Sequence, residues 1–315
     1  MSKPQVIICG SIAIDRIMNF SGRYRDLIKP EKLHALSLSV LLDKLENSPG
    51  GIGANIAYNL AILGEKPVLL GSVGQDAKDY MSALTATGVD TSQVHFSDLP
   101  TASFTVMTDS EDSQVGGFYP GAMADSAGLS FKSWQGQNAL AVISAHDPAA
   151  MNRQVAECQQ AGIPYVYDPG QQVADQATDH QAGLEAAAIL VVNDYELGLL
   201  SERVGLSAEQ LKANLPVVIT TLGADGSVIE GREVPEPIKI GVAKPRQAAD
   251  PTGAGDGYRA GFLYGYVRQW DLKKCGQLGA VVASFIVEKH GTQVKFTAAE
   301  VAARYQENFN EEIKL

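Results

Sequence analysis

Cysteine is scarce: Cys9, Cys158 and Cys275 are the only three in 315 residues, with no CxxC and no even set to pair. That excludes a disulfide framework and a thiolate zinc site and predicts a reduced, cytoplasmic setting. The five histidines, His34, His95, His146, His180 and His290, fall in no ligand-like spacing and read as surface or packing residues. Long apolar runs are missing too. The longest, Ala186 to Val192, is far below membrane-spanning length. Val6–Cys9 is too short for a signal peptide, and Asp15 and Arg16 interrupt the stretch after it. Positive charge is in deficit: 25 Lys and Arg against 36 Asp and Glu give a net charge of -11. Such a surface lacks the phosphate-neutralising groups of non-specific nucleic-acid binding. Neither a membrane nor a nucleic-acid partner is expected. A phosphorylated ligand is still compatible, because backbone N–H groups and a metal can hold phosphate. Several catalytic signatures are absent. No GxxxxGK[ST] excludes a P-loop enzyme, no HRD or DFG a protein kinase, and no GxSxG or HExxH the matching hydrolases. There is no repeat, charge block or low-complexity tract.

What is present has ordinary globular proportions, 45% hydrophobic and 19% charged. Short apolar, β-branched runs recur at Val6–Cys9, Val68–Gly71, Leu140–Ser144, Tyr165–Tyr167, Ile189–Val192 and Val217–Thr220. Helical patterns lie between several of them, near 54–63, 77–87, 148–161 and 195–202, and two more lie near 255–268 and 273–288. This alternation predicts an α/β fold with a central, mostly parallel sheet covered by helices on both faces. Residues 1–315 read as a single domain. Two segments break the pattern: 10–47 has no clean alternation, and 102–118 reads as a hairpin with turn residues Asp109–Ser113. We expect them, as about 11–48 and 100–119, to form a small β lid over the open end of the sheet; surface decoration is the alternative.

Four motifs carry chemistry. In DPTGAGDGYRAGF, Asp250 to Phe262, a turn leads into an apolar helical pattern. Gly253, Ala254 and Gly255 have little or no side chain, so a ligand can approach the backbone, and the unpaired N–H groups of a helix start make an anion hole. Asp256 fits a general base, kept ionised by the helix start; the alternative is a plain N-terminal cap. GGIGAN, Gly50 to Asn55, lacks the third glycine of a dinucleotide fingerprint. It is either a turn or a place where Asn55 meets substrate hydroxyls. NDYE, Asn193 to Glu196, comes directly after a strand, at the end of a parallel sheet where ligands bind; a helix cap serves Asn193 equally well. TLGADG, Thr221 to Gly226, is a β-turn or a glycine-opened nucleotide loop.

These four motifs, in this order along the whole chain, resemble the ribokinase (PfkB) family. GSIAIDRIMNF, HALSLSVLLDKL, FYPGAM and DPGQQ look like the mycobacterial-type adenosine kinases within it. The resemblance implies an ATP- and Mg²⁺-dependent kinase for a nucleoside 5′-hydroxyl, most of all adenosine, with a broad nucleoside kinase or a sugar kinase as the alternative. It implies Asp256 as catalytic base and Gly253, Ala254 and Gly255 as anion hole. Asn193 and Glu196 would order Mg²⁺, the latter through water. Thr221, Gly223 and Gly226 would form the ATP loop. Ser11, Asp15, Gly51 and Asn55 would hold the ribose, and Ser39, Phe104, Phe118, Gln171 and Gln172 the nucleoside. It further implies a K⁺ activator near Asp250 and Thr252, and a homodimer through the lid. Asp15 can accept two hydrogen bonds from a ribose diol, and Phe104 and Phe118 can offer π-faces to a purine.

Overall fold

The computed structural model describes residues 3–315. Nine strands make the main sheet: β1 (Gln5–Cys9), β4 (Val68–Gly74), β5 (Val94–Ser97), β8 (Ala139–Ser144), β9 (Tyr165–Asp168), β10 (Ile189–Asn193), β11 (Val217–Thr221), β12 (Ser227–Glu230) and β13 (Ile238–Ile240). Their order is β13-β12-β11-β10-β9-β8-β1-β4-β5. All pairings are parallel except β11–β12 and β12–β13. Among the described residues the α-helices are α1 (Tyr24–Leu27), α2 (Ile52–Ile62), α3 (Lys78–Thr87), α4 (Pro148–Ala161), α5 (His180–Glu185), α6 (Asp194–Val204), α7 (Ala208–Asn214), α8 (Ala254–Tyr266), α9 (Leu272–Ile286) and α10 (Ala298–Phe309).

The continuous apolar strands arise because helices cover both faces of the sheet. Along β1, Val6 and Ile8 join one core with α2, α8, α9 and α10, whereas Ile7 and Cys9 join another with α4 and α6. That is the period of two of an extended chain. Helix bounds reflect local chemistry. In α4 the Asp147 side chain accepts from Ala150 N–H, Pro148 takes the first helical position, and Gly162 ends the helix at φ 65°. The three cysteines are buried and free. No helix among the described residues is long and apolar enough to cross a membrane.

A second sheet has the order β3-β2-β6-β7, from β2 (Ala13–Asn19), β3 (Lys44–Gly50), β6 (Ala102–Thr108) and β7 (Gln114–Tyr119). The hairpin expected from sequence is β6–β7, and β2 and β3 come from the segment that showed no clean alternation. The chain leaves β1 through Gly10 and Ser11 straight into β2 and returns from β3 into α2. The lid is thereby rooted at the carboxyl edge of the main sheet, where β9, β10 and β11 also end on Asp168, Asn193 and Thr221.

Candidate active site

Helix α8 begins where the DPTGAGD motif turns. Gly253 caps it at φ 80°, and a Cβ there would lie 2.7 Å from the Thr292 side chain, so conformation and space both demand glycine. Ala254 N–H turns back to Pro251 O at 3.1 Å, and Gly257 N–H opens the helical ladder on Gly253 O at 3.0 Å. Among the described residues, this leaves the N–H groups of Gly253, Gly255 and Asp256 for a ligand, at the positive end of the helix, whereas Ala254 N–H is taken by Pro251.

Asp256 is buried in the first turn of α8. Its Oδ2 accepts from Asn55 Nδ2 at 2.9 Å. The Asn55 amide is held in that sense from behind: its Oδ1 accepts from Thr292 Oγ1 at 2.9 Å and from Gln293 Nε2 at 3.3 Å. Gln293 Nε2 also donates to Tyr80 Oη, which in turn donates to Gly50 O at 3.0 Å, while Thr292 Oγ1 reaches Pro49 O at 3.1 Å. The last two residues of lid strand β3 are thus tied to the Asp256 neighbourhood. Burial pushes the Asp256 carboxyl up to about 6, against Arg259 and the Asn55 hydrogen bond, which favour the charge, with Asp168 and Asp15 adding repulsion. The helix start was expected to dominate; burial outweighs it, and the carboxylate is poised just below neutral pH rather than held far from it.

Sequence reasoning passed over Asp168 and Arg259. Fully buried Asp168 accepts from Ser144 Oγ at 2.8 Å and from Arg259 Nη2 at 2.6 Å. The DPGQQ turn and the GDGYRAGF segment contain both residues, but nothing local shows that they meet.

Asn193 and Thr221 end neighbouring strands as register partners. Asn193 caps α6 in a reciprocal box: its Oδ1 accepts from Glu196 N–H at 2.7 Å, and Glu196 Oε2 accepts from Asn193 N–H at 2.9 Å. Burial raises the Glu196 carboxyl, with Asp168 adding to the shift and Asn193 and Arg259 opposing it. No group of three His, Cys, Asp or Glu that could hold a metal occurs among the described residues. The donor set fits Mg²⁺ held chiefly by nucleotide phosphates and water, with Glu196 as outer acceptor. Gly223 and Gly226 have φ 57° and 89° in the β11–β12 turn, closed by Leu222 N–H on Gly226 O at 2.8 Å. Asp250 Oδ1 accepts from Thr252 N–H at 2.9 Å, and Oδ2 lies 3.7 Å from His290 Nδ1.

On the lid, Asp15 pairs across to Phe104, and Phe104 across to Phe118. Cross-strand partners share a face, so one carboxylate and two aromatic rings form a row. Both rings are exposed, and burial raises the Asp15 carboxyl to about 6. Ser11 Oγ accepts from Ile52 N–H at 3.1 Å, and Gly51 turns at φ 93° where a Cβ would meet Ser11 O at 2.5 Å. Gln172 Nε2 donates to His146 O at 2.7 Å, while Gln171 beside it is exposed. Ser39 lies in an exposed coil and makes no hydrogen bond among the described residues.

Residues 11–299 match the profile of the pfkB family carbohydrate kinases. The chain is 36% identical over 264 residues to a nucleoside kinase of Methanothermobacter thermautotrophicus, covering 81% of this chain and 83% of that protein. It is 30% identical over 296 residues to a nucleoside kinase of Methanocaldococcus jannaschii, covering 92% and 93%. The structure of Burkholderia thailandensis nucleoside kinase in complex with inosine superposes with a TM-score of 0.86 at 31% identity, covering 98% of this chain and all of that one. These relatives are named for nucleosides in general; none of the three singles out adenosine or the mycobacterial type.

Proposed function

The chain belongs to the pfkB family of carbohydrate kinases and is a phosphotransferase with an alcohol acceptor, and on that premise we propose that it is a nucleoside kinase of broad base tolerance, transferring the γ-phosphoryl group of ATP to the 5′-hydroxyl. The observation that carries this reading is the row Asp15–Phe104–Phe118 on one lid face. A carboxylate can accept both hydroxyls of a ribose diol, and two rings beside it can cover a base, which a free sugar would leave idle. Stacking does not read the edge of a base, since every base has a π-face. The proposed edge contacts, Gln171 and Gln172, are amides that both donate and accept. Neither feature discriminates adenine from hypoxanthine or guanine. Adenosine is therefore proposed as one substrate among several.

In this mechanism Asp256 orients the 5′-hydroxyl and takes its proton. A weak base suffices, because the phosphoryl transition state is loose. The Gly255 and Asp256 N–H groups, with the start of α8 behind them, meet the charge on the transferring group. Mg²⁺, when bound, neutralises the phosphates, and Glu196 with Asn193 would hold its water. Thr221, Gly223 and Gly226 form the proposed nucleotide loop. Ser11, Gly51 and Asn55 flank the ribose, with Asn55 also steering Asp256. The turn of Asp250 and Thr252 is the place proposed for an activating K⁺.

The partner proposed for the lid is a second copy of this chain. Opposite the Asp15 row, Met18 pairs with Leu45 and Met107, and Met107 with Val115. In that apolar row Leu45 and Val115 are exposed, while Met18 and Met107 are half-buried.

ATP consumption should be measured with adenosine, inosine, guanosine, ribose and fructose 6-phosphate. The three nucleosides are expected to turn over with kcat/KM well above both sugars. Turnover of ribose or the hexose phosphate above every nucleoside would sink the proposal.

A further inference from the structure

Arg259 lies one helical turn after Gly255 on α8, and its guanidinium folds back over that glycine. A Cβ on Gly255 would stand 2.7 Å from Arg259 Nη1, so the second glycine of GAGD leaves room for this side chain as well as for a ligand. From the other side Asp168 fixes Nη2 at 2.6 Å, and Asp168 is itself fixed by Ser144 Oγ at 2.8 Å. The Arg259 side chain is 11% exposed and its partner carboxylate 0%. Its Nε is buried and has no hydrogen-bond partner among the described residues. A guanidinium so placed is expensive to bury for a single ion pair, because desolvation consumes much of the attraction. A hydrophobic pair would pack the same space, so stability alone gives no reason to keep it there.

The groups around it supply a reason. Asp256 and Asp15, on α8 and lid strand β2, Asp168 at the end of β9 and Glu196 on α6 are all acidic, and Tyr80 on α3 faces Asp15 and Asp256. Arg259 is the cation that acts on Asp256, Asp168 and Glu196 together. Burial opposes its charge, but those three carboxylates hold the guanidinium more firmly protonated than usual. Without it, a buried carboxylate among like charges would take up a proton.

We propose that Arg259 is a positioning residue for phosphoryl transfer: clamped by Asp168 and laid against Gly255, its guanidinium keeps Asp256 in the charged, proton-accepting form. The inference rests on the proposed role of Asp256 as base. Asp168 acts one step further out, as the group that fixes the guanidinium.

The test is the pH dependence of kcat with ATP and the best acceptor of the five-compound panel, in wild type, R259Q, R259K, D168N/R259Q and D256N. Removing the positive charge should move the acidic limb of R259Q to higher pH, by about 1 to 3 pH units, with the rate recovered in alkaline buffer and KM for the acceptor little changed. R259K keeps the charge and should keep the limb. R259Q alone leaves Asp168 buried and unpaired and so is liable to misfold. The double variant D168N/R259Q removes both charges; it should recover the melting temperature, and because Asp168 repels the Asp256 charge less than Arg259 favours it, its limb should stay displaced, by less than in R259Q. A double variant that melts like wild type and has the wild-type limb would make Arg259 structural and overturn the inference. D256N separates the two ideas. If D256N stays active, the base assignment fails; if D256N is dead but the limb of the double variant does not move, only the role of Arg259 fails.

Discussion

Asp256 carries opposing demands. As a buried carboxyl raised to about 6, it binds its proton more tightly in the fold than in the unfolded chain. Its favourable contribution to stability is complete below about pH 4 and is lost as pH rises through about 6. At pH 7.5 the resulting cost is on the order of 3 kcal/mol. Catalysis runs the other way, since only the ionised form accepts a proton, so kcat should rise with pH through about 6. Asp256→Asn cannot ionise. It should lower kcat by about 10²- to 10⁴-fold with little change in ATP affinity, because the phosphate is met by backbone N–H groups. It should also melt at a higher temperature than wild type at pH 7.5, with the gap closing toward pH 4. Calorimetry across that range checks the sign, and a near-normal kcat would remove Asp256 from the chemistry. Its place at a helix start was legible, because a glycine-rich turn precedes it, and the alternative of a plain cap is not what the fold shows, since Gly253 takes the cap position. Its surroundings were not. Arg259 and Asp168 are 91 positions apart, and Thr292 and Asn55 are 237 apart; only the topology brings them together.

Among the elements, α2 shows what the glycines of GGIGAN do. Gly53 packs on Gly10, and a Cβ on Gly53 would lie 2.8 Å from the Gly10 backbone. The close approach sets Asn55 two residues on. Gly53→Ala should destabilise by about 1–3 kcal/mol, read by urea titration, and lower kcat as Asn55 shifts; unchanged stability would mean the two backbones part freely. The lid makes a second prediction. Phe118 stands half exposed beside Phe104. If the two rings cover a base, Phe118→Ala should lower kcat/KM for a nucleoside roughly 5- to 150-fold and leave any weak ribose turnover alone. Added nucleoside should also slow hydrogen exchange across residues 103–119. An equal loss on both substrates would reduce Phe118 to lid packing. Parallel strands β1, β4, β8, β9, β10 and β11 were readable because burial on both faces makes each a continuous apolar run; β5, VHFS, was not, since His95 and Phe96 in its middle are exposed. Strand β3, KLENSPG, was not: it lies at the edge of the lid sheet with most of its residues exposed, so no apolar alternation marks it. Helix α10 was passed over although Thr297 and Glu300 form a capping box and Val301, Tyr305 and Phe309 recur every four residues; four of its apolar residues are alanines, so the stripe is thin.

For the molecule as a whole, the lid is where two copies should meet. Sedimentation should show a dimer, and Leu45→Asp with Val115→Asp should release monomers by placing charge in the outer apolar row; a wild-type monomer would dispose of the idea. The order of the main sheet has a consequence for biosynthesis. Strand β1 lies between β4 and β8, yet it is made long before either. It gains its first neighbour once β4 has left the ribosome. Its other edge stays open until Ser144 has emerged, after the chain has passed through β5 and the β6–β7 hairpin. From β8 to β13 each strand joins the one made just before it, so that half of the sheet can grow in the order of synthesis with short loop closures. The hazard in making this protein is therefore concentrated in one interval, while residues 75–144 are being translated and a hydrophobic strand edge waits without its partner.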